Sequence, residues 1–144
     1  MSQSNLQQIV SIISTLRQTL NMETAIVSKI ELKAGRYTIQ AVESVMNVFK
    51  PNDEFALQDT YCAAVMDCED TITYTNVGKI EKMQLHPVYT LLQLESYIGT
   101  PIKKDGQAYG TLNFSSTDIR QQPFSEIELN QVKIAANQIA ELLD

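Results

Sequence analysis

Ser96-Tyr97-Ile98-Gly99-Thr100-Pro101-Ile102-Lys103-Lys104-Asp105-Gly106-Gln107-Ala108-Tyr109-Gly110-Thr111-Leu112-Asn113-Phe114 places two β-rich runs around an Asp-Gly pair. Asp-Gly favours a two-residue type I′ turn because both turn positions need positive φ, so the stretch reads as an antiparallel hairpin. With Lys104 facing Gln107, Ile102 lies opposite Tyr109, Thr100 opposite Thr111 and Ile98 opposite Asn113. These six then share a face that mixes apolar bulk with hydroxyls and an amide, the make-up of a small-molecule cavity. The other face holds Tyr97, Gly99, Pro101, Gly110, Leu112 and Phe114, where the glycines leave room for a terminal helix. A one-residue slip exchanges the faces. Thr100 and Thr111 also read as a plain cross-strand pair, with Asn113 capping a loop.

Outward from this hairpin the period changes. Leu6, Ile9, Ile13, Leu16 and Leu20 recur at alternating spacings of three and four, a helical stripe with Ser4 as its N-cap. Ser125 and Glu128 form a capping box before a helix carrying Leu129, Val132, Ala136, Ile139 and Leu143. Thr24 to Leu32, the turn Lys33-Ala34-Gly35-Arg36 and Tyr37 to Val42 make another hairpin. A short strand is expected at Thr71 to Tyr74, and a short helix over Val88 to Leu94 after His86-Pro87. Met46 to Leu57 and Asn76 to Met83 read as irregular crossings. This order is α+β. An antiparallel sheet with helices on one face leaves its second face to the irregular middle segment, where a cavity can form.

The 144 residues suit one domain, 1–144. Seventeen acids against eleven bases give a net charge of −6. The excess sits in residues 51–70, where Asp53, Glu54, Asp59, Asp67, Glu69 and Asp70 meet no Lys or Arg. A phosphate backbone or anionic bilayer would be repelled, so neither nucleic acid nor membrane is an expected partner. No apolar run approaches a bilayer span, and the N-terminus has no basic or long apolar region. A reducing, cytoplasmic location follows as the expectation.

Two cysteines, Cys62 and Cys68, with the single His86, fall short of a closed zinc site or a disulfide framework. No metal site is expected. A Cys62–Cys68 redox pair is the enzymatic alternative, against the plainer reading of a small buried hydrophobe. His86 has the one side chain whose ordinary pKa lies near neutrality, and reads either as a ligand contact or as part of the start of the 87–94 helix. No nucleophile elbow accompanies it, so no hydrolase is expected. Val10, Ile12, Ile127, Ile134 and Leu142 lie off the helical stripes. Helices apolar on more than one face touch two surfaces, which points to a homodimer through the terminal helices.

Phe55-Ala56-Leu57, Asp59-Thr60-Tyr61-Cys62, Ser96-Tyr97-Ile98-Gly99-Thr100-Pro101-Ile102, Asp105-Gly106, Tyr109-Gly110-Thr111-Leu112-Asn113-Phe114-Ser115-Ser116, Arg120 and Pro123-Phe124-Ser125 together resemble the GAF domain of bacterial signalling proteins. The resemblance runs over about residues 5–142 and is most specific from Ser96 to Ser125. It implies a central six-stranded antiparallel sheet, terminal helices on one face, and short helices and loops over a ligand cavity on the other. It also implies a sensory module that signals through its terminal helices to a kinase, cyclase or transcription regulator. Thr100, Thr111, Asn113, His86, Tyr89, Tyr61, Ile98 and Ile102 are the candidate ligand-binding residues.

Leu85-His86-Pro87-Val88-Tyr89 is similar to the bilin-attachment stretch of related photoreceptors, but Leu85 cannot form a thioether, so no covalent bilin is expected there. The cyclic-nucleotide signature of the family is missing, and the cysteine spacing does not match that of free methionine sulfoxide reductases. Three readings follow: a small-molecule sensor, a thiol-redox enzyme related to those reductases, and a ligand-free dimerisation module. The chain reads as a free-standing sensor, an adaptor or a domain of a longer protein.

Overall fold

The computed structural model describes Met1–Asp144. Helix α1, Gln3–Leu20, buries Ile9, Ile13, Leu16 and Leu20, so the predicted stripe is its packing face. Its cap is Ser2, whose side chain accepts from the Asn5 amide at 3.1 Å, and not Ser4, which lies inside the helix. Strands β1 (Thr24–Glu31) and β2 (Arg36–Ser44) form the first hairpin. Strand β3, Glu54–Ala56, pairs with the outer edge of β2 inside the segment expected to be irregular. Next come helix α2 (Cys62–Cys68), strand β4 (Ile72–Tyr74) and helix α3 (Pro87–Leu92). The second hairpin pairs β5 (Ser96–Lys104) with β6 (Gln107–Ser116), and α4 (Glu126–Leu142) closes the fold behind the predicted capping box.

The six strands form one antiparallel sheet in the order β3-β2-β1-β6-β5-β4. Helices α1 and α4 pack together on one face, over Ala25, Val27, Ile98, Ile102, Leu112 and Phe114. The opposite face carries a second, smaller core around Ile26, Tyr37, Ile39, Cys62, Val65 and Tyr97, covered by α2, α3 and their connections. The fold is therefore the six-stranded α+β arrangement that the sequence resemblance implies.

The Asp105-Gly106 turn forms as read, with φ of 54° and 79°. The register beyond it does not. Lys104 pairs with Gln107 and Lys103 with Ala108, but Ile102 then pairs with Gly110, Thr100 with Leu112 and Ile98 with Phe114. Tyr109 is the extra residue of a β-bulge and packs toward the helices. The bulge turns Ile98, Thr100 and Ile102 to the helix side, where the two isoleucines join Leu112 and Phe114 in the larger core. Tyr97, Gly99 and Pro101 are turned to the opposite face. The shifted register gathers Ile98, Ile102, Leu112 and Phe114 on one face, and their joint burial favours it.

The two strand glycines of the hairpin then have a different task from the one expected. A Cβ on Gly110 would run into the Ser28 carbonyl of β1, and a Cβ on Gly99 into the Tyr97 ring. The missing side chains admit a neighbouring strand and an aromatic ring, not a helix.

Candidate functional site

The space between the sheet and α2–α3 holds a cavity of about 150 Å³. Its floor comes from Ile26 of β1, Tyr37 of β2, Tyr97 of β5, and Asn113 and Ser115 of β6. Phe49, Phe55 and the Asp59–Cys62 segment make one wall, and Val88, Leu91, Leu92 and Leu94 make the other. Phe55, Asp59 and Leu91 are exposed, so they mark its mouth. Five aromatic rings line it, and no Lys, Arg or His does.

A hydrogen-bonded cluster runs between this floor and α2, with the Cys62 sulfur at its centre. Sγ accepts from the Thr111 hydroxyl at 3.2 Å and the Asn113 amide at 3.4 Å, and makes a hydrogen bond with the Tyr97 hydroxyl at 3.0 Å in which either group can donate. Asn113 Nδ2 also donates to Tyr37 Oη at 3.2 Å and Thr111 Oγ1 at 3.3 Å, and the Ser28 and Thr111 hydroxyls meet at 2.7 Å. Ser28, Tyr37, Cys62, Tyr97, Thr111 and Asn113 are all at most 4% exposed. Burial raises the Cys62 thiol above its ordinary pKa, with the hydrogen bonds from Thr111 and Tyr97 only partly opposing it. Burial, reinforced by the Cys62 sulfur, likewise raises Tyr37 and Tyr97 well above the usual phenol value.

The predicted residues divide into four groups. Tyr61 and Asn113 line the cavity. Tyr61 donates its hydroxyl to the Leu94 carbonyl at 2.8 Å, and its ring meets Tyr97 edge-on, with centroids 5.4 Å apart. Thr111 lies beside Asn113 on the same face of β6, outside the lining, and is bonded to Cys62.

His86 and Tyr89 stand behind the wall. Nδ1 of His86 accepts from the Val88 amide at 3.2 Å, capping α3, while its ring packs 4.9 Å from Tyr61. Burial lowers its pKa, which suits the neutral acceptor that this cap needs. Tyr89 donates to Glu95 Oε2 at 2.9 Å, and the other oxygen of that carboxylate receives the Gly78 amide at 2.8 Å. Ile98, Thr100 and Ile102 do not face the cavity, because the bulge at Tyr109 turns them to the helix side; Thr100 bonds instead to the Thr71 hydroxyl at 2.9 Å.

Tyr37, Tyr97, Ser115, Phe49 and Phe55 are among the lining residues that sequence reading missed. The adjacency of Tyr37 and Tyr97 depends on sheet order, and no local spacing signals it. Ser115 carried a signal, since it continues the Thr111-Asn113 alternation on β6.

Residues 6–143 match the family model described as the GAF domain. The chain belongs to the GAF domain family. Solved GAF-fold structures superimpose closely although their sequences have drifted far. The GAF domain of a phosphoenolpyruvate-protein phosphotransferase from Acinetobacter is 15% identical with a TM-score of 0.73, covering 99% of this chain and 93% of its own. A type II free methionine-R-sulfoxide reductase from Thermoplasma acidophilum is 16% identical with a TM-score of 0.75, covering 96% and 91%. A phycocyanobilin-bound GAF domain from a cyanobacterial phytochrome is 14% identical with a TM-score of 0.72, covering 95% and 82%. No curated protein matches the chain. At such identities the likeness shows the GAF fold alone. No helix of this GAF domain is long and apolar enough to cross a membrane.

Proposed function

We propose that this GAF domain is a cytoplasmic, small-molecule-sensing regulatory module. The observation that carries the reading is the open, aromatic-walled cavity on the sheet face away from α1 and α4. A ligand there bridges β1, β2, β5 and β6 to α2 and α3, and the same strands carry the terminal helices on their reverse side. Binding that favours one arrangement of these layers shifts the population of helix positions, which an attached kinase or cyclase would read. Residues 1–144 act as one domain in this reading.

A homodimer through the terminal helices accompanies it. Ile127 and Ile134 on α4 are 72% and 57% exposed, and Ile134 shares a surface groove with Ile12 of α1. The thiol-redox reading lacks a comparable observation. Cys62 is buried with its thiol held protonated, and Cys68 lies at the far end of α2, about 9 Å along the axis at 1.5 Å per residue. A disulfide needs closer Cα atoms than that. The ligand-free reading conflicts with the open cavity.

The test is a thermal-shift screen against a broad metabolite set. A ligand at 100 times its Kd adds about 2.7 kcal/mol, which for a domain of this size raises Tm by about 8 °C. A saturable rise supports the sensor, and a set without any rise contradicts it.

A further inference from the structure

Resting on the reading of the cavity as a ligand site, we infer that its ligand is a compact, uncharged aromatic molecule with an N–H donor, held by Asn113 Oδ1 and Ser115 Oγ. Asn113 is 4% exposed and Ser115 3%. Nδ2 of Asn113 is committed to Tyr37, Cys62 and Thr111, whereas Oδ1 accepts no hydrogen bond from the chain. The Ser115 hydroxyl makes none either. Neither oxygen is sealed in the packed interior, so both touch the open space of the cavity that their residues line. The two residues are separated by one position on β6 and share a face, so their oxygens present a pair of acceptors from one strand.

An oxygen withdrawn from water without a partner costs free energy, and a ligand N–H recovers it. The Tyr37, Tyr61 and Tyr97 hydroxyls are already engaged with Asn113, Leu94 and Cys62. The three rings present apolar surface, which suits a flat body; Tyr61 spends its proton on Leu94, and the Tyr37 hydroxyl, an acceptor toward Asn113, keeps its own.

Size and charge narrow the class. A buried space near 150 Å³ accepts about one six-membered ring, and the mouth at Phe55 and Leu91 lets a second ring protrude. Without a Lys, Arg or His in the lining, an anion would enter with no counter-charge and would pass Asp59. A cation seated at Asn113 would leave its one acidic partner behind at the exposed mouth.

The test titrates the full chain with four probes, following the Asn113 side-chain amide and Ser115 backbone amide by 1H–15N NMR. Indole supplies the ring and the N–H, benzofuran replaces N–H by an oxygen acceptor, indole-3-carboxylate adds an anion, and benzylamine adds a cation. Indole is expected to move both signals and to bind roughly tenfold more tightly than benzofuran, the upper part of the range for one net hydrogen bond. Indole-3-carboxylate and benzylamine are expected to bind more weakly than indole. Equal or tighter binding of benzofuran, the carboxylate or the amine overturns the proposed ligand class and leaves the ligand site standing. If none of the four moves either signal, the ligand site falls with it.

Discussion

The Cys62 sulfur takes hydrogen bonds from Thr111 and Asn113 and shares a third with Tyr97, yet lies where an ionised thiol would lose its hydration. Desolvation outweighs these bonds, so the sulfur serves the native state as a neutral acceptor. Cys68 is exposed. Iodoacetamide at pH 8 is therefore expected to alkylate Cys68 in the native protein and to reach Cys62 only in denaturant; peptide mass mapping that finds Cys62 modified natively would contradict the assignment.

The same burial fixes an alkaline limit. Cys62, Tyr37 and Tyr97 have raised pKa values in the folded state, so above the ordinary thiol and phenol values the unfolded chain binds fewer protons than the native one. Their contribution is complete below about pH 8.5 and is lost as pH rises toward the folded values. Urea midpoints are expected to fall steadily from about pH 9 upward, and a flat profile to pH 11 would be inconsistent with a buried cluster.

Among the strands and helices, local chemistry told most where it acted alone. Asp105-Gly106 supplies both positive-φ positions of its turn, and Ser125 and Glu128 cap α4 reciprocally. The stripes of α1 and α4 were legible because one face of each helix meets the sheet. The Tyr109 bulge was not, because it depends on β1, whose Ser28 carbonyl occupies the space beside Gly110. Strand β3 escaped for a related reason. Its three residues are all exposed and exist as a strand through pairing with β2, so no alternation marks them.

The cavity was therefore half legible. Asn113 and Tyr61 were found, the three β5 candidates went to the wrong face with the register, and Tyr37 and Tyr97 come from strands that only tertiary pairing brings near. Gly110→Ala tests the close approach of β1 beside the bulge. A methyl there must push β1 and β6 apart, so a loss of about 3 kcal/mol is expected in urea unfolding. A change under about 0.5 kcal/mol would show that the strands have room.

Taken together, the layers give the GAF domain two unlike faces, a dense one under the terminal helices and a hollow one under α2 and α3. The exposed Ile127 and Ile134 on the helical layer are the surface of the proposed dimer. Sedimentation is expected to find a dimer that Ile134→Glu converts to monomer with secondary structure unchanged; a monomeric parent protein at high concentration would remove the terminal-helix interface.

Diffraction from a crystal pressurised with xenon examines the hollow face itself, since xenon enters apolar cavities of this size without needing a specific donor. A xenon peak among Tyr37, Tyr61 and Tyr97 is the result expected. Side chains closing that space, with no peak above the sheet, would contradict it.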